Sequence, residues 1–399
     1  MKYLLYCLAV VLTACGGGGS TPIPVQNNSI IQPRPSLLVP GQKMTIAWVD
    51  YRFDEPTEIN TDGVVMTSYN GMTPMIDHIK NIGYNTIVLQ TEVPISPQTG
   101  LLDINKIPNQ PRTLPQDFWR VVDYAKMQGF QVWVMIAITD GLDNTLYQGQ
   151  GAQAFGGNFS ADTMFTTITN YDTNLAVLAQ QHKVDGIYLG DYQLGFDQSQ
   201  YITNWKTLVS SVKSVFTGKL SYISGYDSPV YDLVDYISVQ FNWPLMSTVT
   251  TDVPTIVNSY YNAVNGFNVV KYVEDISAAH GNKPLILDHF QSTAVDTGVG
   301  QDVNIWNLLA NGQMSSLPTP NYVLQSAKIS AFCSISTAIT PIVGIGFDEY
   351  MPWAQAAWLQ KAVPGTNNYN WYLFDTLGYE LYNHPQEEST ISQCVKNLK

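Results

Sequence analysis

The sequence predicts an α/β protein folded as one (β/α)8 (TIM) barrel with long loops, and three observations predict it. From residue 44 onward, short β-rich apolar runs alternate with helix-like stretches. The strand-like runs number eight, the count of a closed barrel. The first run ends in Trp48-Val49-Asp50-Tyr51, unlike the Gly-rich phosphate loop that often follows the first strand of the competing arrangement, a doubly wound open sheet.

The runs are Met44–Tyr51, Thr86–Val93, Gln131–Ile138, Gly186–Gln193, Lys219–Tyr226, Tyr236–Asn242, Pro284–Phe290 and Val343–Tyr350. The helical patterns between them start with Met72–Ile82, which stops at Gly83. Leu114–Met127 carries Pro115 and Asp117 in its first turn and stops at Gly129. Ala161–His182, Gln200–Phe216, Val253–Ala279 and Tyr322–Thr337 follow. No internal repeat and no composition shift divides residues 41–399, so they read as one domain.

Composition narrows the partners. Charged residues are 13% of the 399, about half the usual share. Nineteen basic residues against thirty-two acidic give a net charge of −13, which argues against nucleic acid or an anionic lipid surface as a ligand. The polar surface must be largely uncharged, and a neutral, hydroxyl-rich ligand such as a carbohydrate suits it. The five histidines are scattered and no zinc spacing occurs, so neither a metal nor another cofactor is expected, and the chain is expected to be a monomer.

The N-terminus carries an address. Lys2, an apolar run from Tyr3 to Leu12 too short to span a bilayer, and Leu12-Thr13-Ala14-Cys15 followed by four glycines resemble a bacterial lipoprotein signal. The resemblance implies removal of residues 1–14 and lipidation of Cys15; a plain secretory signal with an incidental cysteine is the alternative. With Gly16 rather than Asp, the sorting rule of such lipoproteins in diderm bacteria implies the outer membrane. Residues 15–40, rich in Gly and Pro, read as a flexible tether holding the domain to the membrane. Cys333 and Cys394 are the thiols left in an oxidising compartment, and a disulfide between them is expected.

Barrel sites lie at the C-terminal ends of the strands. There stand Asp50, Glu92, Asp140, Asp191, Asp227, Asp288 and Asp348-Glu349, so acids occupy seven of eight ends. Tyr192, Trp243, His289 and Trp353 stand among them. Carboxylates ringed by aromatics suit sugar chemistry, because ring faces stack on pyranoses and carboxylates bind hydroxyls or act as acid, base or nucleophile. A single acid at a strand end is more often a helix cap, so it is the ring that marks a site.

A family resemblance enters through four segments. Val184-Asp185-Gly186-Ile187-Tyr188-Leu189-Gly190 resembles the fourth strand of TIM-barrel glycoside hydrolases of the large retaining clan, above all the endo-β-mannanase-like family. Thr86–Gln90, Asp235–Leu245 and Lys283–Leu287 resemble the second, sixth and seventh. The resemblance implies a glutamate acid/base on strand four and a glutamate nucleophile on strand seven. Tyr192 and His289 occupy those positions here, with Asp191 and Asp288 one residue earlier. Asp191 and Asp288 are therefore the candidate catalytic pair, and Glu92, Tyr192, Trp243, His289, Asp348, Glu349 and Trp353 the candidate substrate contacts. Three functions stay open: a glycoside hydrolase, a carbohydrate-binding lipoprotein that no longer cleaves, and a surface lipoprotein whose barrel is only a support.

Overall fold

The computed structural model describes residues 35–50, 68–94, 117–139, 161–191, 196–241, 245–296, 319–350 and 381–398. Eight parallel strands pair in sequence order and close on themselves: β1 (Met44–Asp50), β2 (Thr86–Pro94), β3 (Gln131–Thr139), β4 (Gly186–Asp191), β5 (Lys219–Ser224), β6 (Tyr236–Gln240), β7 (Leu285–Phe290) and β8 (Ile342–Tyr350). Among the described residues the α-helices are α1 (Tyr69–Ile82), α2 (Phe118–Met127), α3 (Ala161–Gln181), α4 (Ile202–Val215), α5 (Val253–Tyr261), α6 (Val269–Ala279), α7 (Tyr322–Ala338) and α8 (Pro385–Asn397).

Alternation along each strand sorts side chains into two cores. Ile46, Trp48, Val88, Met135, Tyr188 and Ile286 fill the barrel axis. Their neighbours in sequence, Ala47, Val49, Ile87, Leu89, Val134 and Leu287, pack outward beneath the helices. Strands buried on both faces explain the near-continuous apolar runs. Large axial rings need small partners: a Cβ at Gly186 would sit 2.3 Å from the Trp133 ring.

Between β5 and β6, where no helix was expected, the chain makes a 3-10 turn, Pro229–Asp232. The helical ring departs from expectation in two places. The single helix expected over 253–279 is two. Asn268 accepts a 2.8 Å hydrogen bond from the Lys271 N–H and starts α6 afresh, and Gly266 at φ +76° lets the chain turn before it. The helix α8 was not expected at all. It is polar, and only Glu387, Ile391, Cys394 and Val395 are buried. It packs between α7 and α1 and completes the ring. Cys394 is bonded to Cys333 of α7 with Cα atoms 5.7 Å apart, and Glu388 meets His78 of α1 at 2.6 Å.

Residues 35–40, placed by composition in the tether, lie against the barrel. The Leu37 N–H donates to the Gly129 carbonyl at 2.7 Å, and Leu38 packs under the axial core. The apolar pair Leu37-Leu38 explains why the Pro-rich stretch binds here.

Candidate functional site at the C-terminal mouth

Three strands carry an extra residue near their C-terminal ends. Opposite β5, the step from Tyr188 to Asp191 on β4 matches the shorter step from Ser221 to Ile223. Opposite β8, Asp288 and His289 of β7 face the single residue Gly346, since Leu287 pairs with Ile345 and Phe290 with Phe347. Opposite β1, Asp348 and Glu349 of β8 face Trp48 alone. Bulges of this kind re-aim side chains and gather next to active sites. Gly190 at φ +132° and His289 at φ +47° supply the left-handed backbone for two of them. For glycine that conformation costs little, whereas for histidine it is strained by about 1–3 kcal/mol.

The β7 bulge breaks alternation so that both Asp288 and His289 turn toward the barrel axis, while Phe290 turns out and stacks on Phe332 at 4.1 Å. Asp288 has no exposed surface. Its Oδ1 accepts from Trp48 Nε1 at 2.5 Å and from the His289 backbone N–H at 3.0 Å. Its Oδ2 accepts from the Tyr188 hydroxyl at 2.8 Å. Tyr188 is hydrogen-bonded to Ser238, and Ser238 to Ser221 at 2.9 Å. Burial, then the Asp288 charge, push the Tyr188 phenol far above its ordinary range, so it stays a donor. The network exists because β8 has no side chain beside it: a Cβ at Gly346 would lie 2.1 Å from Asp288 Oδ1 and 3.0 Å from Trp48 Nε1.

His289 is 3% exposed, its ring centroid 4.1 Å from that of Trp48 in an edge arrangement. Its Nε2 is buried with no hydrogen-bond partner among the described residues. A buried imidazole nitrogen left unsatisfied on a strained backbone costs folding energy twice over, and such pairs of cost concentrate where a ligand is received. On β8, Asp348 is buried and accepts from Gln291 Nε2 at 2.5 Å.

Of the residues expected at the site, Asp288 and His289 are brought together at the axis, with Asp348 on the adjoining strand. Glu92, Asp191 and Glu349 end β2, β4 and β8 and are described by backbone alone. Tyr192, Trp243, Trp353 and Cys15 lie outside the described residues, as does Asp140 of the acid ring. Asp227 leaves that ring: it bonds His280 Nε2 at 2.7 Å on the helical side. Trp48, Tyr188, Ser238 and Gly346 were not foreseen. The sequence signal for them is the Gly344-Ile345-Gly346 spacing, which leaves the inward face of β8 without side chains, Gly346 lying beside Trp48 and Asp288.

No family model and no curated protein matches the chain. Solved structures do. A GH113 β-1,4-mannanase aligns with a TM-score of 0.61 at 13% identity, over 89% of this chain and 98% of that one. A GH113 β-mannanase from Alicyclobacillus acidocaldarius in complex with ManMIm aligns at 0.59 and 14%, over 91% and 100%. A β-glucuronidase from Ruminococcus gnavus in complex with uronic isofagomine aligns at 0.53 and 9%, over 90% of this chain and 51% of that one. The fold shared with these proteins is the (β/α)8 barrel. At these identities the likeness speaks for the barrel and its strand order, and the chemistry of this chain rests on its own residues.

Proposed function

We propose that this is a lipoprotein, anchored through Cys15 to the bacterial outer membrane and facing the periplasm or the exterior, whose glycoside-hydrolase-like barrel takes a polysaccharide or oligosaccharide at its C-terminal mouth. The observation that carries the reading is His289: strained and buried at the axis of the barrel, edge-on to Trp48, with no hydrogen-bond partner for its Nε2 among the described residues. An imidazole can donate to or accept from a sugar hydroxyl, and an indole edge borders it. The fold likeness to β-mannanases makes β-1,4-linked mannan the first polymer to offer.

In the hydrolytic form of this reading Asp191 and Asp288 are the catalytic carboxylates. Attack on an anomeric carbon would fall to the Asp288 Oδ2, which accepts one hydrogen bond and keeps a lone pair, and the sugar would have to reach a carboxylate with no exposed surface. Binding without cleavage is the second reading, and the complete burial of Asp288 favours it. There Asp288 positions Trp48, Tyr188 and His289 and does not touch the sugar.

One experiment separates them. The purified protein is offered a panel of β- and α-linked polysaccharides, with reducing-end release and retardation in affinity gels both recorded. Hydrolysis that falls by orders of magnitude in Asp191→Asn and in Asp288→Asn supports the enzyme. Retardation without new reducing ends supports the binder. Neither signal with any polymer refutes the proposal. The anchor is checked by mass spectrometry of membrane-extracted protein, which should show an acylated N-terminal Cys15; a soluble form starting elsewhere refutes it.

A further inference from the structure

The N-terminal end of the barrel, its floor, collects positive charge in a chain of net charge −13. Helices of this fold return to the floor, and lysine is favoured in their last turns by the helix dipole. Lys80, Lys126, Lys213 and Lys396 occupy such turns. Lys183 follows α3, Lys219 opens β5, and Lys43 and Lys283 precede β1 and β7. Eight of the nineteen basic residues thus ring one end.

Four of them, Lys183, Lys213, Lys219 and Lys396, are exposed. Three carboxylates at this end are engaged: Asp185 meets Lys126 at 2.6 Å, Asp232 meets His280 at 2.7 Å, and Asp235 accepts from the Leu220 N–H at 2.9 Å.

A second, independent observation concerns where the chain enters. Residues 35–43 are fixed to the same end. The Leu37 N–H bonds the Gly129 carbonyl, and Leu38 packs under the axial core. Lys43 Nζ donates to the Ser336 carbonyl at 2.6 Å. Gly129 is held to glycine by this contact, because a Cβ there would lie 2.4 Å from the Pro35 carbonyl oxygen. Pro35, the first described residue, therefore lies within the lysine collar.

We infer that the floor is a membrane-facing surface whose lysine collar sits on anionic lipid headgroups, so that the mouth is directed away from the membrane and toward its ligand. The inference rests on the lipid-anchor reading for its geometry, and it revises the expectation from net charge alone that no anionic surface would be a partner. Net charge describes the whole molecule, whereas a headgroup within a Debye length feels only the face presented to it.

The test uses the full-length acylated protein in phosphatidylcholine vesicles with and without about 30% phosphatidylglycerol, where polybasic attraction operates. A donor fluorophore is placed at exposed Gln181→Cys, at the end of α3 on the floor, or at Val264→Cys. Val264 is 62% exposed on the mouth side, its N–H bonded to the Leu245 carbonyl just beyond β6. Headgroup-labelled lipid is the acceptor. Energy transfer should be at least about twofold higher from position 181 than from 264 in anionic vesicles, and the ratio should fall toward one in about 0.5 M salt, which shortens the Debye length to a few ångströms. The variant with Lys183, Lys213, Lys219 and Lys396 all changed to Glu should lose the ratio while staying bound through its lipid. Equal transfer from the two positions, higher transfer from 264, or a ratio indifferent to charge overturns the inference. If no acylated form exists, the anchor reading fails, and flotation of the Cys15→Ser chain with anionic vesicles at low salt decides the collar by itself: salt-sensitive flotation sustains it, and none overturns it.

Discussion

The two ends of the barrel are built by opposite rules. At the floor the strands are nearly regular, lysines close the helices, and residues 35–43 are bonded down by backbone and side chain. At the mouth three strands bulge within a few residues, a histidine takes a left-handed backbone, and its buried Nε2 has no hydrogen-bond partner among the described residues. The floor is marked by regular pairing and engaged lysines, whereas the mouth is marked by bulges and a left-handed histidine. That contrast is the physical signature of stability at one end and ligand chemistry at the other.

The comparison can be broken by loosening the scaffold alone. Cys394→Ser removes the bridge that ties α8 to α7 across 61 residues. It should cost about 4 kcal/mol through the unfolded state, read as a lower denaturant midpoint, while ligand binding at 20 °C stays unchanged. Loss of binding with intact folding would show that the helical ring sets the mouth.

Within the axis, Gly346→Ala should cost about 3 kcal/mol, because its Cβ meets the Asp288 carboxylate. Gly344→Ala, two residues nearer the floor, meets only Met44 and Ile286 at 3.0 Å or more and should cost about 1 kcal/mol. Equal costs would deny that the mouth is the more tightly specified layer. Asp288→Asn turns an amide toward one of three donors and should cost about 2 kcal/mol by chemical denaturation. Unlike Cys394→Ser, it should also weaken ligand binding, through Trp48 and His289.

The smallest effect lies in the helical layer. His280 bonds Asp227 and Asp232 with its two nitrogens, each at 2.7 Å. A neutral imidazole has one N–H, so both bonds need the charged form. Burial works against that charge, but the two carboxylates outweigh it and the His280 pKa is raised. A raised folded value means stabilisation that is full below the unfolded pKa near 6.5 and lost as pH rises through the folded one. The stability lead of the wild type over His280→Gln should therefore shrink between pH 5.5 and pH 9, by under about 1 kcal/mol since both aspartates are exposed. A lead that grows with pH would contradict the assignment.

Much of this was legible in the sequence because strands buried on both faces announce themselves as apolar runs. All eight were placed within a few residues of their observed limits. The α5–α6 break was hidden because helical periodicity continues across it, and only the Asn268 cap and Gly266 interrupt it. The polar helix α8 has too narrow an apolar face to stand out. At the site, Asp288 and His289 were found by position at a strand end. Their shared inward direction was not, because strict alternation would send them to opposite faces, and the left-handed backbone at His289 is imposed by tertiary packing. Trp48 and Tyr188 were missed since an aromatic in a strand reads as core, and it takes the register to show that their polar ends converge on one carboxylate.

The central claim is that a carbohydrate is received at His289. The most direct measurement is the ring-proton NMR spectrum of the five histidines during titration with oligosaccharides from the polysaccharides that retard the protein. His78, His182 and His280 bond carboxylates on the helical side and serve as internal references. The account predicts that the His289 resonance shifts with saturation while those three stay fixed, and that His289→Ala abolishes the saturable change. A sugar that binds and leaves the His289 resonance unmoved would contradict it.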